Sequence, residues 1–272
     1  MPRTARASAG DVAYHVINRG NGRMRVFHRA ADYAAFLRLL ADANERFFRE
    51  TRGSMRILGY CLMPSHFHLV LWPRRDGDLS RWMQWLLTAH VRRYHRLRGT
   101  SGHVWQGRFK AFPIQQDDHL LTVLRYVERN PLRARLVKRA ELWPWSSLAA
   151  THGAGREPAR SLQGSPSAGP ERGALSNAPA RKKRAGGTRA QMPPAERPVP
   201  GAELLHVGPV DRPANWLERV NTAETDQELE QLRRCLERGT PLGGPGWVAS
   251  TARRLGIESS LRPRGRPRVV EK

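Results

Sequence analysis

The stretch MPSHFHLVLWP, Met63 to Pro73, decides how the chain is read. Pro64-Ser65 turns the chain, and the residues after it alternate as a strand does. Successive side chains of a strand point to opposite faces, so His66 and His68 share one face while Phe67, Leu69 and Leu71 share the other. The apolar set predicts the core side. Two imidazoles one residue apart on one face are able to hold a divalent metal, and read equally as two half-buried strand histidines. RILGYCLM at Arg56–Met63 precedes the turn, so the two segments predict a hairpin whose second arm opens with the histidines.

Outward from the hairpin the element types alternate. Val12, Tyr14 and Val16 predict one face of a first strand, followed by the turn-rich NRGNGR. Between Ala31 and Arg49, Tyr33, Phe36, Leu37, Leu40 and Phe47 recur at helical spacing. Downstream, Leu79, Trp82, Met83, Leu86, Leu87 and Tyr94 predict a second helix, with Trp82, Trp85 and Tyr94 read as core. FKAFPIQ predicts a fourth strand, at an edge because Pro113 cannot donate to a ladder. A last helix starts at Asp117, a good N-cap, and is expected to stop before Pro131. This order is that of a split βαβ, ferredoxin-like α+β fold: an antiparallel sheet with helices on one face.

The last helix carries Leu120, Leu121, Leu124 and Val127 as its apolar stripe, with Tyr126 off it and Asn130 one turn further on. Singly, these read as a packing tyrosine and a stop residue. Together with His66 and His68 they make a chemical constellation. Two imidazoles and an amide oxygen on a divalent ion leave positions for water and a phosphate oxygen, and a phenol is a nucleophile.

Charge names the class of partner. The 272 residues carry a formal charge of +23, with a pI near 11.5, which favours nucleic acid over acidic lipid. No run of 18 or more apolar residues predicts a membrane span. The opening MPRTARASAG has no apolar core, so no secretory signal is expected. Cys61 and Cys235 alone fit a reducing compartment and exclude a disulfide scaffold or a cysteine-rich zinc site. In GRFKA, Arg108 and Lys110 alternate with Phe109 and then Phe112, a mixture suited to phosphate contact and base stacking on single strands. Arg125, Arg129, Arg133 and Arg135 surround the last helix, as phosphate contacts or as a solvated basic face. His15, His90, His95, His103 and His119 have no partner at ligand spacing and are left out of the site.

Thr151 to Pro200 has no aromatic residue, is rich in Ala, Gly, Pro, Ser and Arg, and carries RKKR at Arg181–Arg184. It reads as a disordered, flexible basic linker. The expected division is a catalytic domain over 1–150, the linker over 151–200, and a small helical DNA-binding tail over 201–272. In the tail, Thr225 and Glu228 predict a capping box before a helix with Leu229, Leu232 and Leu236 that ends at Gly239. A second helix is expected around Trp247–Leu255, after a PLGGPG loop too long for a helix-turn-helix. Arg264-Gly265-Arg266-Pro267 reads as an AT-hook core that enters an A·T minor groove, or as an unstructured basic terminus.

His66-Phe67-His68, RYVERNPLRARLV at Arg125–Val137, GRFKA, the opening YHVINRGN and the WPWSS turn at Trp143–Ser147 resemble the single-tyrosine HUH transposases. Within them the chain is similar to the REP-associated tyrosine transposases, over about Asp11 to Leu148. NTAETDQELEQLRR and RGTPLGGPGWVASTARRLG resemble that family's C-terminal region. The resemblance implies the HUH nuclease fold, His66 and His68 as metal ligands, Asn130 as third ligand and Tyr126 as nucleophile. The implied cofactor is Mg²⁺ or Mn²⁺, with Zn²⁺ not excluded by the nitrogen ligands. Cleavage and rejoining of single-stranded hairpin DNA would pass through a 5′-phosphotyrosine with a free 3′-OH. Related rolling-circle initiators often carry a lysine or a second tyrosine where this chain has Asn130, which favours the transposase branch. Arg135 departs from the family's common NPVRAGLV, replacing a glycine just after the helix. A cytoplasmic, nucleoid-associated bacterial protein is expected, a monomer or homodimer with DNA as partner and no membrane. The competing reading is a non-catalytic DNA-hairpin-binding protein derived from a transposase. A single-strand RNA-binding sheet is weaker, because the strands lack the usual aromatic motif.

Overall fold

Pro64-Ser65 makes the turn that its residue types predict. In the computed structural model, which describes residues 8–53, 55–152 and 201–262, β2 (Arg56–Met63) folds back as β3 (His66–Trp72). β1 (Ala13–Arg19) pairs antiparallel with β3, and β4 (Lys110–Ile114) pairs antiparallel with β1, in the order β2-β3-β1-β4. This is the ferredoxin-like order, in which each βαβ crossover skips one strand and all neighbours run antiparallel. β4 is an edge strand, as Pro113 requires. The Pro113 carbonyl faces away from β1 and accepts from the Leu242 N–H, so the missing proline donor takes no bond from the β1 ladder.

The two crossover helices, α1 (Ala30–Thr51) and α2 (Asp78–Arg98), cover one face. There Tyr14, Val16, Phe67, Leu69 and Leu71 meet Phe36, Leu40, Trp82 and Leu86 in one core. α3 (Asp118–Arg133) takes the opposite face, where Ala13, Cys61, Val70 and Phe112 meet Leu120, Val123, Leu124 and Val127. The α+β sheet is as expected, but its helices lie on both faces rather than one. The reason is in the strands: both alternating sets of β1 and β3 carry apolar residues, and each set needs a cover. Gly59 allows α3 to come close, since a Cβ there would lie 2.7 Å from Leu124 Cδ2.

Asp117 caps α3 as expected, its side chain accepting from the His119 N–H. The helix does not stop before Pro131; it runs to Arg133. Within a turn of the C-terminus the proline forfeits one N–H, and little helix remains to be broken. Leu136 N–H then reaches the Pro131 carbonyl, and Arg135 N–H the Leu132 carbonyl, which is a Schellman ending. Its left-handed position is filled by Arg135, at φ 57°.

The chain after α3 closes the sheet. Leu62 N–H donates to the Trp145 carbonyl and His206 N–H to the Ile57 carbonyl along the outer edge of β2, while Leu242 covers β4. α4 (Ser147–His152), α5 (Trp216–Asn221), α6 (Asp226–Arg238) and α7 (Pro245–Leu255) complete the described helices. α6 begins with the predicted Thr225/Glu228 capping box and ends at a left-handed Gly239. Trp216, Val220, Leu232 and Cys235 join the core under α3, so the chain before 155 and the chain after 198 form one compact unit. Glu128 of α3 ties them. It has no exposure and accepts from Ser147 Oγ at 2.7 Å, Trp216 Nε1 at 2.8 Å and Arg212 Nη2 at 3.0 Å. Arg264, Arg266 and the 153–200 part of the expected linker lie outside the described residues.

Two substitutions test this account by urea denaturation. Arg135→Gly should stabilise by about 1 kcal/mol, because a side chain in the left-handed region costs roughly that much. Glu128→Gln should destabilise by about 3 kcal/mol, because it leaves the Arg212 charge without its buried partner.

Candidate active site on the face covered by α3

Strand register assembles the site. His68 stands opposite Cys61 on one side and Ile17 on the other, and Ile17 stands opposite Lys110. His66 stands opposite Met63 and Arg19. Cross-strand partners share a face, so His66, His68, Arg19 and Lys110 all point to the side that α3 covers. α3 brings Tyr126 and Asn130 onto them. The Tyr126 ring centre is 5.9 Å from that of His68, and Asn130 Nδ2 is 2.9 Å from His68 Nε2. His66 and His68 lie edge-to-face at 5.1 Å, and Ser65 Oγ is 3.1 Å from His66 Nδ1. All four residues expected to form the site therefore meet.

His15, left out on sequence spacing, belongs to the same cluster. Its Nε2 lies 2.9 Å from His68 Nδ1, and the two rings are nearly coplanar and edge to edge, with centres 5.0 Å apart and planes 3° apart. The partner is 53 residues away on another strand, so local spacing carries no sign of it. Its place on the inward face of a strand next to the histidine strand was the available signal.

The cluster is dry and electropositive. Burial first, and Arg133 second, push His15 down to about 3. Burial, then Arg19 and Arg133, lower His66 to about 4. His68 is lowered well below the ordinary range, by burial and then by its histidine neighbours. All three imidazoles are neutral at pH 7, the state in which a ring nitrogen has a free lone pair. Arg133 lies over the Tyr126 ring, its Cζ 4.0 Å from the ring centre.

The expected phosphate contacts divide. Arg108 and Lys110 are exposed beside the site. With Asn18, Arg19 and Arg233 they line a cavity of about 510 Å³, in which Glu237 is the one carboxylate among the lining residues. Arg125 is buried and ion-paired with Glu228 of the tail, and Arg129 and Arg133 pair with Glu224. Phe109 and Phe112 are buried in the two cores, so the expected stacking surface for bases is absent there. Lys110 and Phe112 share the face that α3 covers, but Phe112 lies beneath the helix while Lys110 stands at the exposed end of the strand, and Phe109, just before β4, packs into the opposite core. Arg19 and Arg233 were not singled out, since both depend on the register and on where α6 docks.

The matched residues bear on this cluster directly. Residues 8–130, which include His15, His66, His68, Tyr126 and Asn130, match the family described as "Transposase IS200 like". This part of the chain is therefore similar to the IS200-like transposases. A solved structure described as "Structure of the REP associates tyrosine transposase bound to a REP hairpin" is similar at 20% identity, over 60% of this chain and 94% of that one, with a TM-score of 0.42. No curated protein is significantly similar to the chain in sequence. Among the described residues no helix is long and apolar enough to cross a membrane.

The buried histidines make stability fall in acid. Below about pH 6.5 the unfolded chain takes up protons that folded His15 and His66 refuse until about pH 3 and about pH 4. The unfolded state binds more protons in that window, so stability rises with pH there. Urea titrations from pH 7 down to pH 4 should show a loss approaching roughly 1.4 kcal/mol per pH unit for each such imidazole. A flat profile would contradict the assigned burial.

Proposed function

We propose that the chain cleaves and rejoins single-stranded DNA at palindromic hairpins, with Tyr126 as nucleophile and a 5′-phosphotyrosine as intermediate. The observation that carries this reading is the convergence of Tyr126 and Asn130 on His68 within a neutral, electropositive cluster. The hairpin substrate comes from the motifs that the chain shares with REP-associated transposases.

The donor set fits a divalent ion. His68 Nε2 and the Asn130 amide are 2.9 Å apart. Two ligands at about 2.1 Å and a right angle on one ion would be about 3.0 Å apart. Asn130 presents nitrogen there and would have to turn its amide oxygen inward, which leaves the side chain's shape unchanged. The proposed ligand set is His66, His68 and the Asn130 amide; among the described residues no three His, Cys, Asp or Glu side chains group as a metal site. When bound, Mg²⁺ or Mn²⁺ would supply charge neutralisation at the phosphate oxygens.

The chain's own residues account for the rest. The Tyr126 phenol gives up its proton as its oxygen bonds to phosphorus and the phosphorus–3′-oxygen bond breaks, and the departing 3′-oxygen takes up a proton to leave a free 3′-OH. Arg133, above the phenol ring, favours the negative charge that develops on its oxygen. The phosphoester bond is conserved in the intermediate, so the 3′-OH of a strand can reverse the step and rejoin it. Arg19, Arg108, Lys110 and Arg233 line a path for the phosphate backbone towards His66. Arg264 and Arg266 extend the contact to a duplex stem.

Incubation with a labelled DNA hairpin and Mn²⁺ should give a covalent adduct. Tyr126→Phe should abolish the adduct with binding within a factor of about three, since only the hydroxyl is removed. His68→Ala should lose metal-dependent cleavage. An adduct from the Phe variant would overturn the nucleophile, and binding by the wild type without any adduct would make the chain a hairpin-binding protein.

A further inference from the structure

His68 uses both ring nitrogens inside the protein, Nδ1 towards His15 Nε2 and Nε2 towards Asn130 Nδ2, each at 2.9 Å. A neutral imidazole has one N–H and one lone pair, so its two nitrogens must do opposite jobs. The Asn130 amide nitrogen only donates. With the amide nitrogen turned to it, His68 Nε2 accepts, its proton sits on Nδ1, and that proton is donated to His15 Nε2. His15 in turn carries its own proton on Nδ1, which is buried with no partner. The bonds run in one direction, from Asn130 to His68 to His15.

His15 is a costly residue to place here. It is wholly buried, edge-on to Phe112 at 5.1 Å and to Tyr126 at 6.0 Å, and nearly coplanar with His68. A buried donor without an acceptor is destabilising, and an apolar ring of the same size would fill this space without that cost. What a phenyl ring cannot do is accept the proton of His68.

We propose that His15 is a positioning residue: its Nε2 accepts the His68 Nδ1 proton and so holds His68 in the tautomer whose Nε2 lone pair faces Asn130 and the reaction site. Without that acceptor the Nδ1 proton is left unpaired in an apolar setting. The proton then moves to Nε2, and the lone pair that would meet a metal is lost. The link to metal rests on the function proposed above; the tautomer does not.

Both parts are measurable without DNA. Long-range ¹H–¹⁵N correlation spectra of the metal-free, full-length protein should show His68 as the Nδ1–H tautomer, with His68→Ala identifying its signals. An Nε2–H tautomer in the wild type, as an Asn130 amide turned the other way would produce, overturns the proposal. His15→Phe should convert His68 to Nε2–H and lower Mn²⁺ affinity, read by electron paramagnetic resonance, about 10- to 100-fold. His15→Gln, whose amide oxygen can accept, should recover part of both. An unchanged tautomer and unchanged affinity in a folded Phe variant overturns the role. If circular dichroism shows that the Phe variant does not fold, the wild-type tautomer and the Gln variant decide it. Equal Mn²⁺ binding by wild type and His68→Ala would remove the metal reading alone, and the tautomer would still test His15.

Discussion

A carboxylate with no exposure to water has to be met by donors, and Glu128 is met by three from three separate segments. Ser147 follows the turn that covers the edge of β2, while Arg212 and Trp216 come from beyond the undescribed residues. Each donor holds α3 against the sheet from the β2 side. Residues two apart on a helix are about 200° apart around its axis. Fixing Glu128 on one side therefore sets Tyr126 and Asn130 on the other, towards His68. The position of Tyr126, the proposed nucleophile, thus depends on a buried charge that takes no part in the proposed chemistry.

The same docking redistributes charge. A formal +23 suggests a helix surrounded by free arginines, yet Glu224, with its side chain 2% exposed, takes Arg129 and Arg133, and Glu228 takes Arg125. These pairs are partly or wholly out of water, where removing one partner is expensive, so they hold the tail to α3. The arginines left facing the open side are at the sheet end, around Arg19 and Arg108. Arg133 does two things at once, pairing with Glu224 and lying over the Tyr126 ring. Net charge names the class of partner and says nothing about which cations are free to meet it.

Local patterns were legible to the extent that their causes are local. Alternation in RILGYCLM and HFHLVLW gives both strands to the residue, Pro113 marks the edge, and the Thr225/Glu228 pair marks the start of α6. Asp117 likewise caps α3, whereas its end was misread, because a proline in a last turn is tolerated where one in a helix interior is not. His66, His68, Tyr126 and Asn130 were legible because each pair lies within one element, where a spacing of two or four fixes a shared face.

The remaining features depend on contacts between elements distant in sequence. His15 meets His68 across two strands, Arg125 meets Glu228 across 103 residues, and the burial of Phe112 depends on α3 covering its face. The sequence by itself determined the sheet, the helices and the four residues of the candidate site, because backbone periodicity and turn chemistry act within a few residues. Only the tertiary structure decided which face α3 covers, which arginines are paired, and that a third imidazole stands behind His68. Those outcomes follow from burying both faces of one sheet and satisfying every charge trapped beneath, which no local window of residues contains.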